Sequence, residues 1–87
     1  MRVDLSNKFK KQYGKASTAI QTILKERLMV FERNKHAPIL NNHELKGKFQ
    51  GCRSINAGGD WRAIFEESLN GDAFFILFGT HSQLYKK

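Results

Sequence analysis

The chain is 87 residues long and carries 15 Lys+Arg against 8 Asp+Glu, a formal charge of +7 with a pI near 9.9. That length suits one domain, residues 1–87, and leaves no room for a second core. The longest apolar run, Ala73 to Phe78, falls far short of the ~20 residues that span a bilayer. No apolar stretch follows the N-terminal Met-Arg-Val-Asp, as a secretory leader requires, and one cysteine, Cys52, makes no internal disulfide. The composition reads as a compact, basic, cytoplasmic domain with polyanions or an acidic protein as partners.

The excess charge is uneven: residues 1–50 carry 11 basic and 4 acidic side chains, whereas residues 51–87 carry 4 of each. In chain order, Arg2 to Leu5 alternates as an edge strand does. Ser6 is a good N-cap, and Phe9 with Tyr13 gives a first short helix its apolar stripe before Gly14 ends it. Ser17 caps a second helix, in which Ile20, Ile23, Leu24, Leu28 and Phe31 share one face. Pro38 and Asn41-Asn42 close the helical half. Lys48 to Asn56 reads as an extended segment, Gly58-Gly59-Asp60 as a tight turn and Trp61 to Phe65 as the returning strand. Leu69 to Asp72 forms a second hairpin turn. Ala73 to Phe78, apolar on both faces, reads as a central strand, and a short segment, Ser82 to Tyr85, ends the pattern. The expected fold is α+β: strand, helix, helix, then a three- to four-stranded antiparallel meander, with both helices packed on one sheet face.

His36, His43, His81 and Cys52 are the soft metal ligands, and no pair has the short spacing of a zinc site. There is no P-loop, no G-x-G-x-x-G and no G-x-S-x-G. The stronger pattern is distributed. His43 and Lys46 precede the sheet, Lys48 and Arg53 lie on its first long segment, Asp60 and Arg62 flank the next strand, and His81 and Tyr85 end the chain. Strand ends in a meander converge, and this set suits metal-independent RNA cleavage without a cofactor. A base removes the 2′-OH proton, an acid protonates the 5′-oxygen, and guanidinium groups hold the phosphate. An imidazole, whose ordinary pKa is about 6.5, serves either proton role near neutrality. An aromatic ring holds a splayed base by stacking.

The stretch from His43 to Tyr85 resembles the RelE/ParE superfamily of type II toxins, most closely its YafQ-like branch of ribosome-dependent mRNA interferases. The matching pieces are His43-x-Leu45-x-Gly47, the Arg53 strand, Asp60-Trp61 and the terminal Gly79-Thr80-His81-Ser82-x-Leu84-Tyr85. The resemblance implies a toxin that cuts mRNA in the ribosomal A site, touches ribosomal RNA there, and is silenced by a cognate antitoxin. It implies a toxin monomeric when free and oligomeric with its antitoxin. By position, His81, His43 and Asp60 take the proton-transfer or phosphate-holding roles, and Tyr85 sits near the RNA. Arg53, Arg62, Lys46 and Lys48 are the expected phosphate or RNA contacts. The YafQ-like pattern has a further histidine where this chain has Asn56, which hydrogen-bonds but exchanges no proton near neutrality.

Other residues read as structural. Trp61, Phe74, Phe75 and Phe78 belong to the core, and Cys52 is a small buried hydrophobe in a strand. Lys8, Lys10, Lys11 and Lys15 are a solvated face or, functionally, a dock for ribosomal RNA. Two rival functions share the fold: a ParE-like inhibitor of DNA gyrase acting by protein contact, and a catalytically decayed toxin that keeps antitoxin binding.

Overall fold

The computed structural model describes residues 1–85. The elements are β1 (Val3–Leu5), α1 (Asn7–Lys15), α2 (Thr18–Arg33), β2 (His43–Glu44), β3 (Arg53–Asn56), β4 (Trp61–Glu67), β5 (Ala73–Thr80) and α3 (His81–Leu84). Two 3₁₀ turns, Pro38–Leu40 and Gly47–Phe49, sit on either side of β2. The five strands form one sheet in the order β1-β5-β4-β3-β2. β3, β4 and β5 are the expected antiparallel meander; its fourth strand is β2, which the sequence reading did not pick out, and β1 adds in parallel on the outer side of β5. No helix among the described residues is long and apolar enough to cross a membrane.

Both helix starts follow from their serines. The Ser6 hydroxyl accepts from the Phe9 N–H at 3.0 Å and the Ser17 hydroxyl from the Ile20 N–H at 3.3 Å, each filling one orphan donor of a first turn. Ser6 also donates its hydroxyl to the Ile76 carbonyl at 3.0 Å, which pins the entry of α1 to β5. Gly14 does not end α1, contrary to the sequence expectation: the helix runs to Lys15 and closes with the Ala16 N–H on the Tyr13 carbonyl. Gly14 is the penultimate residue of α1, outside the helix interior where a glycine costs about 1 kcal/mol relative to alanine. Phe9 and Tyr13 pack against Phe78 and seat the helix on the sheet.

Directly opposed residues on neighbouring strands share a face, and successive residues alternate. Ile55, Ala63, Phe65, Ala73, Phe75 and Phe78 therefore face α1 and α2, where they meet Phe9, Leu24 and Phe31 in the main core. Phe31 lies edge-on to Phe65 at 5.1 Å and to Phe75 at 5.3 Å between ring centroids. Phe75 and Phe78 reach the same face although three residues apart. The ladder shifts between Ile64, opposite Leu77, and Phe65, opposite Phe75, so Ile76 is the extra residue of a bulge. Phe74 is a correction to the expected core: alternation turns it to the other face, where it is 43% exposed.

Three further readings are corrected. Lys48 to Asn56 is not one extended segment, because Gly47 (φ +64°) and Gly51 (φ +92°) take left-handed backbone and bend the chain; only Arg53–Asn56 is strand. Cys52 accordingly precedes β3 and is half-buried. The terminal segment is a one-turn helix packed on the sheet face away from α1 and α2, the distal face. There Ile64 and Leu84 are buried outside the main core.

Candidate functional site

The register orders the distal face into rows. His43 of β2 lies opposite Ser54, which lies opposite Ile64, which lies opposite Leu77. The next row runs Asn56, Arg62, Gly79. Beyond it the chain enters α3, and the His81 N–H donates to the Asp60 carbonyl at 3.0 Å. The start of α3 is thereby tied to the turn between β3 and β4.

Local sequence explains α3. The Thr80 hydroxyl accepts from the Gln83 N–H at 3.2 Å while Gln83 Oε1 accepts from the Thr80 N–H at 2.9 Å, a reciprocal capping box. One turn later Tyr85 caps the helix, so its ring lies over the first residue: the His81 and Tyr85 rings stack at 4.6 Å with 28° between their planes. Phe49, from the Gly47–Phe49 turn, stands against Tyr85 at 5.2 Å and 82°. Beside it Lys48 donates its ammonium to the Leu84 carbonyl at 3.2 Å, one of the orphan acceptors at the end of α3.

The other sequence-named residues divide. His43 is exposed, and its Nδ1 lies 2.8 Å from the Asn41 carbonyl. Assigned from that partner, Nδ1 carries the proton and Nε2 of the neutral ring is the free lone pair. Arg62 donates from Nη1 to the Gly59 and Trp61 carbonyls, both at 2.8 Å, so the rest of its guanidinium fork is not spent on the turn. Asp60 is exposed on that same turn. Asn56 Oδ1 and Ser54 Oγ on this face are buried without a hydrogen-bond partner among the described residues.

Arg53 is not brought to this group. Opposite Phe65 it shares the helix-side face, where Nε donates to Asn42 Oδ1 at 2.8 Å and Nη1 lies 3.5 Å from Glu44 Oε1. Lys46 lines a separate open depression of about 660 Å³ with Glu44, Cys52, Arg53 and Glu67. Burial first, and the negative charge of Glu66 second, push the Cys52 thiol above its ordinary pKa, which keeps it protonated and a poor nucleophile. Among the described residues no three His, Cys, Asp or Glu side chains gather as a metal site. Phe49 is the member of the site that sequence reasoning missed. Nothing local marks it, because its partner Tyr85 is remote in the chain.

The chain resembles solved toxin structures over nearly its whole length. Against YafQ from Escherichia coli BL21(DE3) the TM-score is 0.76 at 24% identity, covering 98% of this chain and 99% of that one. Against the E. coli DinJ-YafQ toxin-antitoxin complex it is 0.77 at 22% identity, covering 95% and 94%. A YoeB/ParE toxin from Agrobacterium tumefaciens gives 0.74 at 14% identity, covering 93% and 99%. No family sequence model and no curated protein sequence matches the chain. The fold is that of the RelE/ParE-like toxins, with YafQ among its structural neighbours.

Proposed function

We propose that this protein is the toxin of a toxin-antitoxin pair and acts as a metal-independent endoribonuclease on mRNA at the ribosome, in the cytoplasm. One observation carries the reading: on the distal face the His81 ring stacks on Tyr85 and the His81 N–H bonds the Asp60 carbonyl, with Arg62 one row in, opposite Gly79. His43 lies on the adjoining row.

The chemistry divides among these groups. One imidazole takes the proton of a ribose 2′-OH as that oxygen attacks the adjacent phosphorus. The 5′-oxygen leaves and takes a proton from the conjugate acid opposite, giving a 2′,3′-cyclic phosphate and a 5′-hydroxyl. His81 is the principal proton carrier. His43, with its Nε2 lone pair free, and Asp60 assist. The unspent donors of Arg62 balance the charge gathering on the pentavalent phosphate, and Lys48, held between Phe49 and the Leu84 carbonyl, supplies positive charge beside Tyr85, whereas Lys46 lies apart in its own depression and takes no part. Tyr85 offers its ring to a base, a contact worth about 1–3 kcal/mol in other single-strand binders. Arg53, committed to Asn42 and Glu44, serves by holding β2 and hence His43.

The proposed protein partner is a cognate antitoxin, supported by the likeness to the DinJ-YafQ complex and by the net charge of +7, which favours an acidic segment. The test is to induce the protein and map mRNA 5′ ends by primer extension, with and without ongoing translation. Cuts within codons that vanish when translation is blocked support the reading. Intact mRNA with DNA-damage signalling instead points to gyrase inhibition, and intact mRNA without growth arrest to a decayed toxin.

A further inference from the structure

We propose that Phe49 is the positioning residue of this site: it sets the Tyr85 ring, and Tyr85 in turn sets the His81 imidazole. The catalytic consequence rests on the nuclease reading above, whereas the geometry stands without it. α3 is four residues long, far too short to hold its shape through its own hydrogen bonds. Its first turn is fixed by the Thr80–Gln83 capping box and by the bond from His81 to Asp60. Neither constraint reaches the ring of Tyr85, which lies past the last helical residue.

The Gly47–Phe49 turn supplies what is missing. Phe49 meets Tyr85 at 5.2 Å and nearly perpendicular, the geometry in which the positive edge of one ring meets the negative face of another. The other ring partner of Tyr85 is His81, stacked at 4.6 Å. Three rings thus form a ladder, Phe49 to Tyr85 to His81. The Lys48 ammonium stands 5.3 Å from the Phe49 ring centroid while it holds the Leu84 carbonyl, so the turn grips α3 at its last carbonyl and at its terminal ring together. The backbone of the turn is secured independently of the Phe49 side chain: Gln50 N–H donates to the Gly47 carbonyl and Cys52 N–H to the Phe49 carbonyl. Phe49 also lies outside the main core. Replacing its ring therefore frees Tyr85 and His81 without opening the fold.

The test compares Phe49→Leu, Phe49→Tyr, Tyr85→Leu and the Phe49→Leu/Tyr85→Leu double variant by two readouts. One is the proton NMR shifts of the His81 ring, which carry the ring current of Tyr85 and need no RNA. The other is single-turnover cleavage of mRNA on programmed ribosomes, separating the rate constant from binding. Phe49→Leu moves the His81 resonances toward those of an unstacked imidazole. It slows cleavage about ten- to a hundredfold at unchanged ribosome binding, the scale expected when a reacting group is misplaced by about 1 Å. Phe49→Tyr restores both. In the Tyr85→Leu background Phe49→Leu changes neither any further. The proposal is overturned if folded Phe49→Leu leaves the His81 shifts at parent values, or if its effect persists in full without Tyr85. Should the parent cut no RNA while Phe49→Leu still moves the His81 ring, the nuclease reading falls and the positioning role stands.

Discussion

The His81 N–H donates to the Asp60 carbonyl at 3.0 Å, one step beyond the last β4–β5 pair, Trp61 opposite Thr80. The His81 backbone therefore continues the sheet ladder, and the same bond fills one orphan donor at the start of α3. Because the Asp60 contribution here is its main chain, its carboxylate can be neutralised without releasing α3.

That separation makes substitutions at the site interpretable. His81→Ala should relieve growth arrest and lower cleavage by about 10²–10⁴, the usual worth of a general acid or base. Its thermal midpoint should remain near that of the parent, since the side chain is exposed. Asp60→Asn should leave stability unchanged and cost less cleavage than His81→Ala. Growth assays paired with thermal melts check both, and a folded, fully toxic His81→Ala protein removes His81 from the chemistry.

Gly79 controls how α3 sits. Its φ is ordinary, so the glycine is needed for room: an added Cβ would lie 2.9 Å from Gln83 Oε1 and 3.5 Å from Leu84 Cδ2. That oxygen is the acceptor for Thr80 in the capping box. Gly79→Ala should cost about 1 kcal/mol, the scale of a lost cap, in urea unfolding. It should also shift the His81 ring resonances and lower cleavage, whereas Ala at Gly14, with open space around its Cβ, should do neither.

Much of the fold was legible because it is local. Ser6 and Ser17 announce their helices, and the glycines before Asp60 and Asp72 mark their hairpins. Thr80-His81-Ser82-Gln83 carried a legible signal too, since Thr followed three residues later by Gln is a capping-box string. The face of Arg53 was hidden for a different reason. Alternation assigns faces only once the first paired residue is known, and the bends at Gly47 and Gly51 set that start. The meeting of Phe49 with Tyr85 depends on tertiary placement of two short turns, which no local pattern encodes.

The neighbours Phe74 and Phe75 show the same register rule energetically. Phe75 is fully buried and meets Phe9, Phe31 and Phe65 at 5.8, 5.3 and 4.9 Å. Phe75→Ala should cost about 3–5 kcal/mol through lost burial and an unfilled cavity. Phe74→Ala, at a position already open to water, should cost about 1 kcal/mol or less. Chemical denaturation of the two variants checks the contrast, and equal losses would place the bulge at Ile76 wrongly.

Cys52 offers a chemical probe of the depression that it shares with Glu44, Lys46, Arg53 and Glu67. Cys52 precedes β3, and burial first and the negative charge of Glu66 second raise its thiol pKa. A raised pKa lowers the thiolate fraction at any pH below it, so Cys52 should react with iodoacetamide more slowly than a free cysteine at pH 8. Glu66→Gln removes the second cause but not the first. Its alkylation rate should rise above that of the parent, with the pH midpoint of the rate moving downward while staying above that of the unfolded chain. A midpoint that does not move on Glu66→Gln would mean that burial alone protects the thiol.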